Sequence, residues 1–260
     1  MPRLTWGDVG ERFYEIGVDR GVLYPLVGDG VAWNGIISVV EAPNLQQPNS
    51  HYYDGIMYLQ VPRVEEFRAT ITAMHRPTEF GPSDGVAVGL NGMLITQQRR
   101  KAFGFSYRTF VGNDLQNEAL GYRIHLVYNA LAMPSERNYQ SISDSVNTSP
   151  YSWEITACPP PMDGYRRTPH LVIDSLTAPA ETLAALEDIL YGTAEEAPRL
   201  PLPEEIFALG FGIVVTDNGD GTFTITGPDD LVYLTDSDEW EVISPNATFL
   251  DAETYTISSI

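Results

Sequence analysis

Four histidines, one cysteine, one aspartate-rich turn and one basic run are the places where this 260-residue chain could do chemistry. His51, His75, His125 and His170 are each isolated in sequence, in or beside a stretch that reads as a strand. An imidazole can ligate a metal or move a proton near neutral pH, but no H-E-x-x-H pairs two of them on a helix face. The expectation is four structural histidines. Cys158 ends the stretch Ile155-Thr156-Ala157 and precedes Pro159-Pro160-Pro161. A reactive thiolate sits in an electropositive pocket, and this one reads as packed core. A single cysteine also excludes an intramolecular disulfide and any cysteine-based zinc site.

The run Asp217-Asn218-Gly219-Asp220-Gly221 has the look of a calcium loop and fails as one. Gly219 and Gly221 stand where ligand side chains belong, and no glutamate closes the loop; a hairpin turn explains the same glycines. Arg99-Arg100-Lys101, beside Phe103 and Phe105, is the one candidate for meeting phosphate. A net charge of −20 favours the other reading, pairing with acidic residues of a neighbouring copy. Lys101 is the only lysine. Arginine's planar fork suits fixed contacts between subunits, although a GC-rich coding bias would favour it equally. There is no G-x-x-x-x-G-K-[ST], no G-x-G-x-x-G after a strand and no G-x-S-x-G. No acid, base and nucleophile assemble into a constellation, so the sequence argues against an enzyme and calls for no cofactor or metal.

The elements that carry these residues are mostly strands. Residues 67–74, 101–110, 122–128 and 151–157 alternate in side-chain character, and 31–41 and 170–176 complete the set. Phe103, Phe105 and Tyr107 fall on one face at period two. Turn clusters at 28–30, 81–85 and 112–114 separate them. One helix is predicted over Pro179–Tyr191, with a stripe of Leu183, Leu186, Ile189 and Leu190 and Gly192 as its stop. Three prolines in residues 198–203 read as a stiff spacer. Beyond it, 213–216 and 222–227 read as a hairpin, with short strands at 230–234, 240–243 and 254–258. The expected organisation is a mainly β domain over 1–197, a Pro-rich linker over 198–203 and a small acidic β module over 204–260.

Charge follows the same division. Residues 171–260 hold 18 of the 35 acidic residues and one basic residue, Arg199; residues 1–170 are nearly balanced, 14 basic against 17 acidic. An acidic skin repels nucleic acid and anionic lipid and keeps crowded copies soluble. No stretch approaches the roughly 18–20 apolar residues of a membrane helix. Residues 1–10 show no apolar signal core, so synthesis in the cytoplasm is expected.

Several stretches then carry a resemblance: 10–24 (GERFYEIGVDRGVLY), 31–35 (VAWNG), 100–109 (RKAFGFSYRT), 121–129 (GYRIHLVYN), 152–157 (SWEITA) and 186–193 (LEDILYGT). Together they resemble the major tail (tail tube) proteins of siphophages that infect actinobacteria. The acidic stretch 216–227 (TDNGDGTFTITG) is similar to the small, Ig-like C-terminal module such proteins often carry. The resemblance implies an antiparallel β-sandwich or barrel with one flanking helix and a long hairpin that helps line a lumen. It implies a virion protein, polymerising as stacked, hexameric rings into a conduit for DNA ejection. Implied partners are other copies of itself, the tape-measure, tail terminator and distal tail proteins, and phage DNA that passes without specific binding; no membrane is involved. Interface candidates are Arg99, Arg100, Lys101 and Phe103 with the hairpin 89–98, and Leu4, Trp6, Phe13 and Tyr14 of the N-terminal arm. Two alternatives stay open at this point: a distal tail (baseplate) ring protein, and a carbohydrate-binding adhesion module using Tyr52, Tyr53 and Trp240.

Overall fold

Alternating β-branched, aromatic and small residues commit most of the chain to strands. The structure is a computed structural model that describes residues 6–42, 49–61, 66–134, 139, 141, 150–162, 166–211, 214–217, 222–226, 232–234, 240–242 and 254–258. Its strands are β1 (Tyr14–Pro25), β2 (Val31–Ala32), β3 (Ile36–Glu41), β4 (Asn49–Tyr53), β5 (Ile56–Val61), β6 (Arg68–Ala73), β7 (Ala87–Val88), β8 (Leu94–Ile95), β9 (Phe103–Asn113), β10 (Asn117–Pro134), β11 (Tyr151–Ala157) and β12 (His170–Asp174). Helices α1 (Ala180–Tyr191) and α2 (Pro203–Ile206) follow. The chain ends in β13 (Val214–Asp217), β14 (Thr222–Thr226), β15 (Val232–Leu234), β16 (Trp240–Val242) and β17 (Thr254–Ser258). Two units emerge: residues 1–159 with 169–173, and residues 160–168 with 174–260.

In the first unit β2-β1-β9-β10-β11-β6-β3 form one sheet, with β12 added against β10. The pairings along that order are antiparallel. The sheet curls until its ends meet. A Cβ on Gly21 of β1 would lie 2.1 Å from Ile36 Cδ1 of β3, so the two strands approach closely there, and Trp33 N–H donates to Gly21 O at 2.7 Å. The result is an antiparallel β fold of sandwich type, as the sequence pattern predicts.

Inside the curl sits an aromatic core. Trp33, Phe80, Phe103, Phe105 and Trp153 are all buried. Phe80 meets Phe103 and Trp153 edge-on at 5.1 Å, and Trp33 meets Phe105 and Trp153 edge-on at 5.6 and 5.5 Å. This is the arrangement ring quadrupoles prefer. The one polar atom of Trp153 is satisfied: its Nε1–H donates to the buried Asp84 Oδ1 at 3.0 Å. Phe103, Phe105 and Tyr107 are all buried, as their period-two spacing requires.

β9 and β10 make the longest pairing. The turn between them is tied by Asn113 Oδ1, which accepts from the N–H groups of Leu115 and Gln116 at 3.1 and 2.7 Å. β9 therefore runs through the predicted turn at 112–114 and ends at Asn113. β10 pairs with β9 up to Ala130 and with β11 from Ala130 onwards, bending where Asn129 adopts φ 48°.

In the second unit α1 buries Leu183, Leu186 and Leu190 and begins at Ala180, one residue after the predicted start. Gly192, at φ 78°, ends it; a Cβ there would lie 2.9 Å from Glu196 O. The proline run is bonded along α1: Arg199 N–H donates to Ile189 O at 2.9 Å, and Pro201 and Pro203 are buried. β13, β14 and β17 form one small sheet, with β14 and β17 parallel, and β15 pairs with β16.

Candidate functional site

Two kinds of feature stand apart from the core: apolar surfaces without cover, and a polar cluster where the aromatic core ends. β4–β5 and β7–β8 are two-stranded hairpins hydrogen-bonded outside the main sheet. On β4–β5, Tyr52, Tyr53, Ile56, Met57, Tyr58 and Leu59 are all exposed, Tyr58 at 74%. These residues include neighbours in sequence, so both faces of the ribbon are apolar. An isolated two-stranded ribbon is marginal in water. On β7–β8 and its turn, Val88, Leu90, Met93, Leu94 and Ile95 are exposed.

The sequence-derived interface candidates fall at the two ends of β9. Arg99, Arg100 and Lys101 lie just before Phe103, exposed and without an ion pair among the described residues. Their backbone is pinned: Gln98 N–H donates to Gly85 O at 2.9 Å and Lys101 N–H to Pro82 O at 3.1 Å. Phe103 itself is 2% exposed and belongs to the core of the protomer. At the other end, Gly10 N–H donates to Asp114 Oδ1 at 2.9 Å and Asn113 Nδ2 donates to Gly10 O at 3.1 Å, fastening the arm to the β9–β10 turn. Trp6 is 83% exposed there, with Val9, Phe13 and Leu115 also outward and Tyr14 starting β1. Leu4 lies outside the described residues. Ten residues of strand put the basic run and the arm roughly 30 Å apart.

The histidines divide in two. His51 and His75 are exposed and take no part in a cluster among the described residues. His125 (β10) and His170 (β12) meet, which their spacing of 45 residues gives no sign of: His125 Nδ1 lies 3.2 Å from His170 Nε2. Glu41, at the end of β3, reaches both, its Oε1 3.4 Å from His125 Nδ1 and its Oε2 4.0 Å from His170 Nδ1. Tyr107 of β9 lies flat against His125, 4.5 Å between centroids, and donates its hydroxyl hydrogen to Glu41 Oε1. On the far side Thr109 Oγ1 lies 3.0 Å from His125 Nε2 and donates to Glu15 Oε1 at 2.5 Å, while Arg123 holds Glu15 Oε2 at 2.6 Å. The rings continue the core: Phe105, Tyr107, His125, His170 and Phe67 succeed one another at 4.5–5.4 Å.

Burial sets the protonation of this cluster. It pushes His170 down to about 4 and lowers His125, against the opposing pull of Glu41, so both imidazoles are neutral at pH 7. Burial and the bond to Glu41 raise Tyr107, which stays a phenol. Burial draws Glu15 upward, but the Thr109 hydrogen bond and Arg123 outweigh it and its pKa is lowered, leaving a carboxylate. The one sequence signal of this site was position: His125 stands between Ile124 and Leu126 in a strand that is buried on both faces.

Cys158 departs from expectation. It is exposed, because β11 ends at Ala157 and the chain turns outward into the prolines; its N–H donates to Asn129 O at 3.3 Å. Residues 218–221 of the aspartate-rich turn and the side chain of Trp240 lie outside what the structure describes.

No protein-family model matches the chain, and no curated protein matches it. Among solved structures, it is similar to a chain of the anti-feeding prophage baseplate (6-fold symmetrised), at 11% identity over 65% of this chain and 97% of that one, TM-score 0.33. It is similar also to the cap that terminates the tube of the anti-feeding prophage, at 11% identity over 67% and 97%, TM-score 0.32. A third is a chain of the sheath–tube complex of an extracellular contractile injection system in its extended state, 16% identical over 60% and 88%, TM-score 0.31. Likeness this distant leaves the functional reading to the chain's own surfaces. No helix among the described residues is long and apolar enough to cross a membrane.

Proposed function

We propose that this chain is a structural tail protein that polymerises as stacked, hexameric rings into a tail tube through which DNA is ejected. The observation that carries the proposal is the β4–β5 ribbon, apolar on both faces and exposed over residues 50–60. Burying six such side chains against another copy removes several hundred Å² of apolar surface from water, at about 25 cal/mol per Å². A ribbon that pairs only with itself is also an aggregation hazard, and ring closure removes it.

Polarity along β9 supports stacking as well as ring formation. The basic run and the β7–β8 hairpin lie at one end, the fastened arm with Trp6 and Phe13 at the other. Unlike surfaces at opposite ends make a head-to-tail contact, which propagates without limit when it does not close on itself. The sequence resemblance to tail tube proteins agrees. In this reading residues 1–197 build the tube, 198–203 link it to the module at 204–260, and the tape-measure, terminator and distal tail proteins contact the tube at its lumen and ends. The protein assembles in the host cytoplasm and ends in the virion.

Negative-stain electron microscopy of the purified protein over a range of concentration and salt tests this. Hollow tubes or stacked rings are expected. Single closed rings that never stack would replace the tube with a distal tail ring. A monomer at high concentration that instead binds cell-wall glycans would replace both with an adhesion module.

A further inference from the structure

We infer that Glu41, His125 and His170 form a binding site for one divalent transition-metal ion of the zinc type, which clips β3 and β12 to β10. The inference starts from one hydrogen. A threonine hydroxyl has one to give, and Thr109 gives it to Glu15 Oε1 at 2.5 Å. Its oxygen can then only accept from His125 Nε2 at 3.0 Å, which puts a ring proton on Nε2 and leaves Nδ1 as the nitrogen that can ligate. That nitrogen faces Glu41 Oε1 at 3.4 Å, an oxygen that accepts from Tyr107. A nitrogen and a carboxylate oxygen this far apart can share one metal ion, which takes the place of the proton between the two imidazoles.

The third donor completes a ligand set. His170 Nε2 lies 3.2 Å from His125 Nδ1, and the three groups each offer a ligand atom within 4.8 Å of the others. Neighbouring ligands of a tetrahedral ion bound at about 2.0–2.1 Å stand roughly 3.3 Å apart, close to the two separations seen. To ligate, His170 carries its proton on Nδ1, the nitrogen facing Glu41 Oε2, and offers Nε2. Two imidazoles with a carboxylate select zinc, cobalt, nickel or iron over calcium and magnesium. The supporting bonds are those that orient ligands in metal sites, Thr109 on the far nitrogen of His125 and Tyr107 on Glu41. Glu41 is 36% exposed on the side chain and His170 14%, which leaves a path for the ion and a fourth position for water.

The full-length protein, stripped with chelator and titrated with Zn²⁺ and Co²⁺, tests the site. One equivalent of zinc should bind and raise Tm by roughly 5–10 °C at a hundredfold excess over Kd. One equivalent of cobalt should give the intense visible bands of a tetrahedral nitrogen–oxygen site. Glu41→Gln and His170→Gln should each abolish the Tm rise and the bands, while melting normally in chelator. Wild-type protein with no stoichiometric cobalt bands overturns the inference, whether or not the variants fold. So do bands and a Tm rise that survive in both variants, which would place the ion on the acidic surface. None of these readouts depends on polymerisation.

Discussion

The core around Trp153 and the β4–β5 ribbon are built from the same residue types and have opposite fates. Phe103, Phe105, Tyr107 and Trp153 lose nearly all contact with water inside the curled sheet, whereas Tyr52, Tyr53, Ile56, Met57, Tyr58 and Leu59 remain in it. The difference is topological. β9 and β11 each have partners on both edges, while β4 and β5 pair only with one another among the described residues. The first arrangement supplies the protomer's stability, and the second leaves apolar surface exposed, which the proposed assembly would cover. Substitutions in the two regions should therefore separate into those that unfold the protein and those that only disassemble it.

The largest effect belongs to the core. Trp153→Ala removes a side chain that three aromatic rings surround and should cost about 3–5 kcal/mol, seen as a drop in chemical-denaturation midpoint. A cost below about 1 kcal/mol would break the contrast from the core side. Next, Asp84→Ala strands the buried Trp153 Nε1–H and should cost about 1–3 kcal/mol, sharpening how much of the core depends on its one polar anchor.

A smaller effect comes from the histidine end of the core. Burial holds His170 at about 4 in the folded protein, against 6.5 when free, with Glu41 and His125 as its charged or titratable neighbours. Between those values the unfolded chain binds more protons, so stability is full above about pH 6.5 and declines as pH falls towards 4. Thermal melts in chelator should show that decline, and His170→Gln should flatten it. A melting temperature unchanged from pH 7 to pH 4 would mean the cluster is not buried in solution. Smallest for the protomer is the ribbon: Ile56→Asp with Tyr58→Asp should leave the denaturation midpoint within about 0.5 kcal/mol of wild type, because neither side chain is buried.

Local rules made much of the fold legible. The strand at 151–157 and the helix ending at Tyr191 follow from side-chain period and a stop glycine, and both lie where they were expected. Phe103, named as an interface candidate with the basic run, shares its face with Phe105 and Tyr107 and goes inside with them. What sequence did not disclose is long-range. Glu41, His125 and His170 come from three strands, and only the curl of the sheet brings them together. The β4–β5 ribbon was equally hidden: its residues have ordinary strand propensity, and nothing in a strand's own sequence states whether a second layer will cover it.

The claim that the ribbon is the assembly surface is tested most directly by sedimentation velocity of Ile56→Asp/Tyr58→Asp beside wild type at matched concentration. The account predicts fast-sedimenting polymer for wild type and a folded monomer for the variant. A variant that polymerises like wild type would contradict it and move the interface to another face of the molecule.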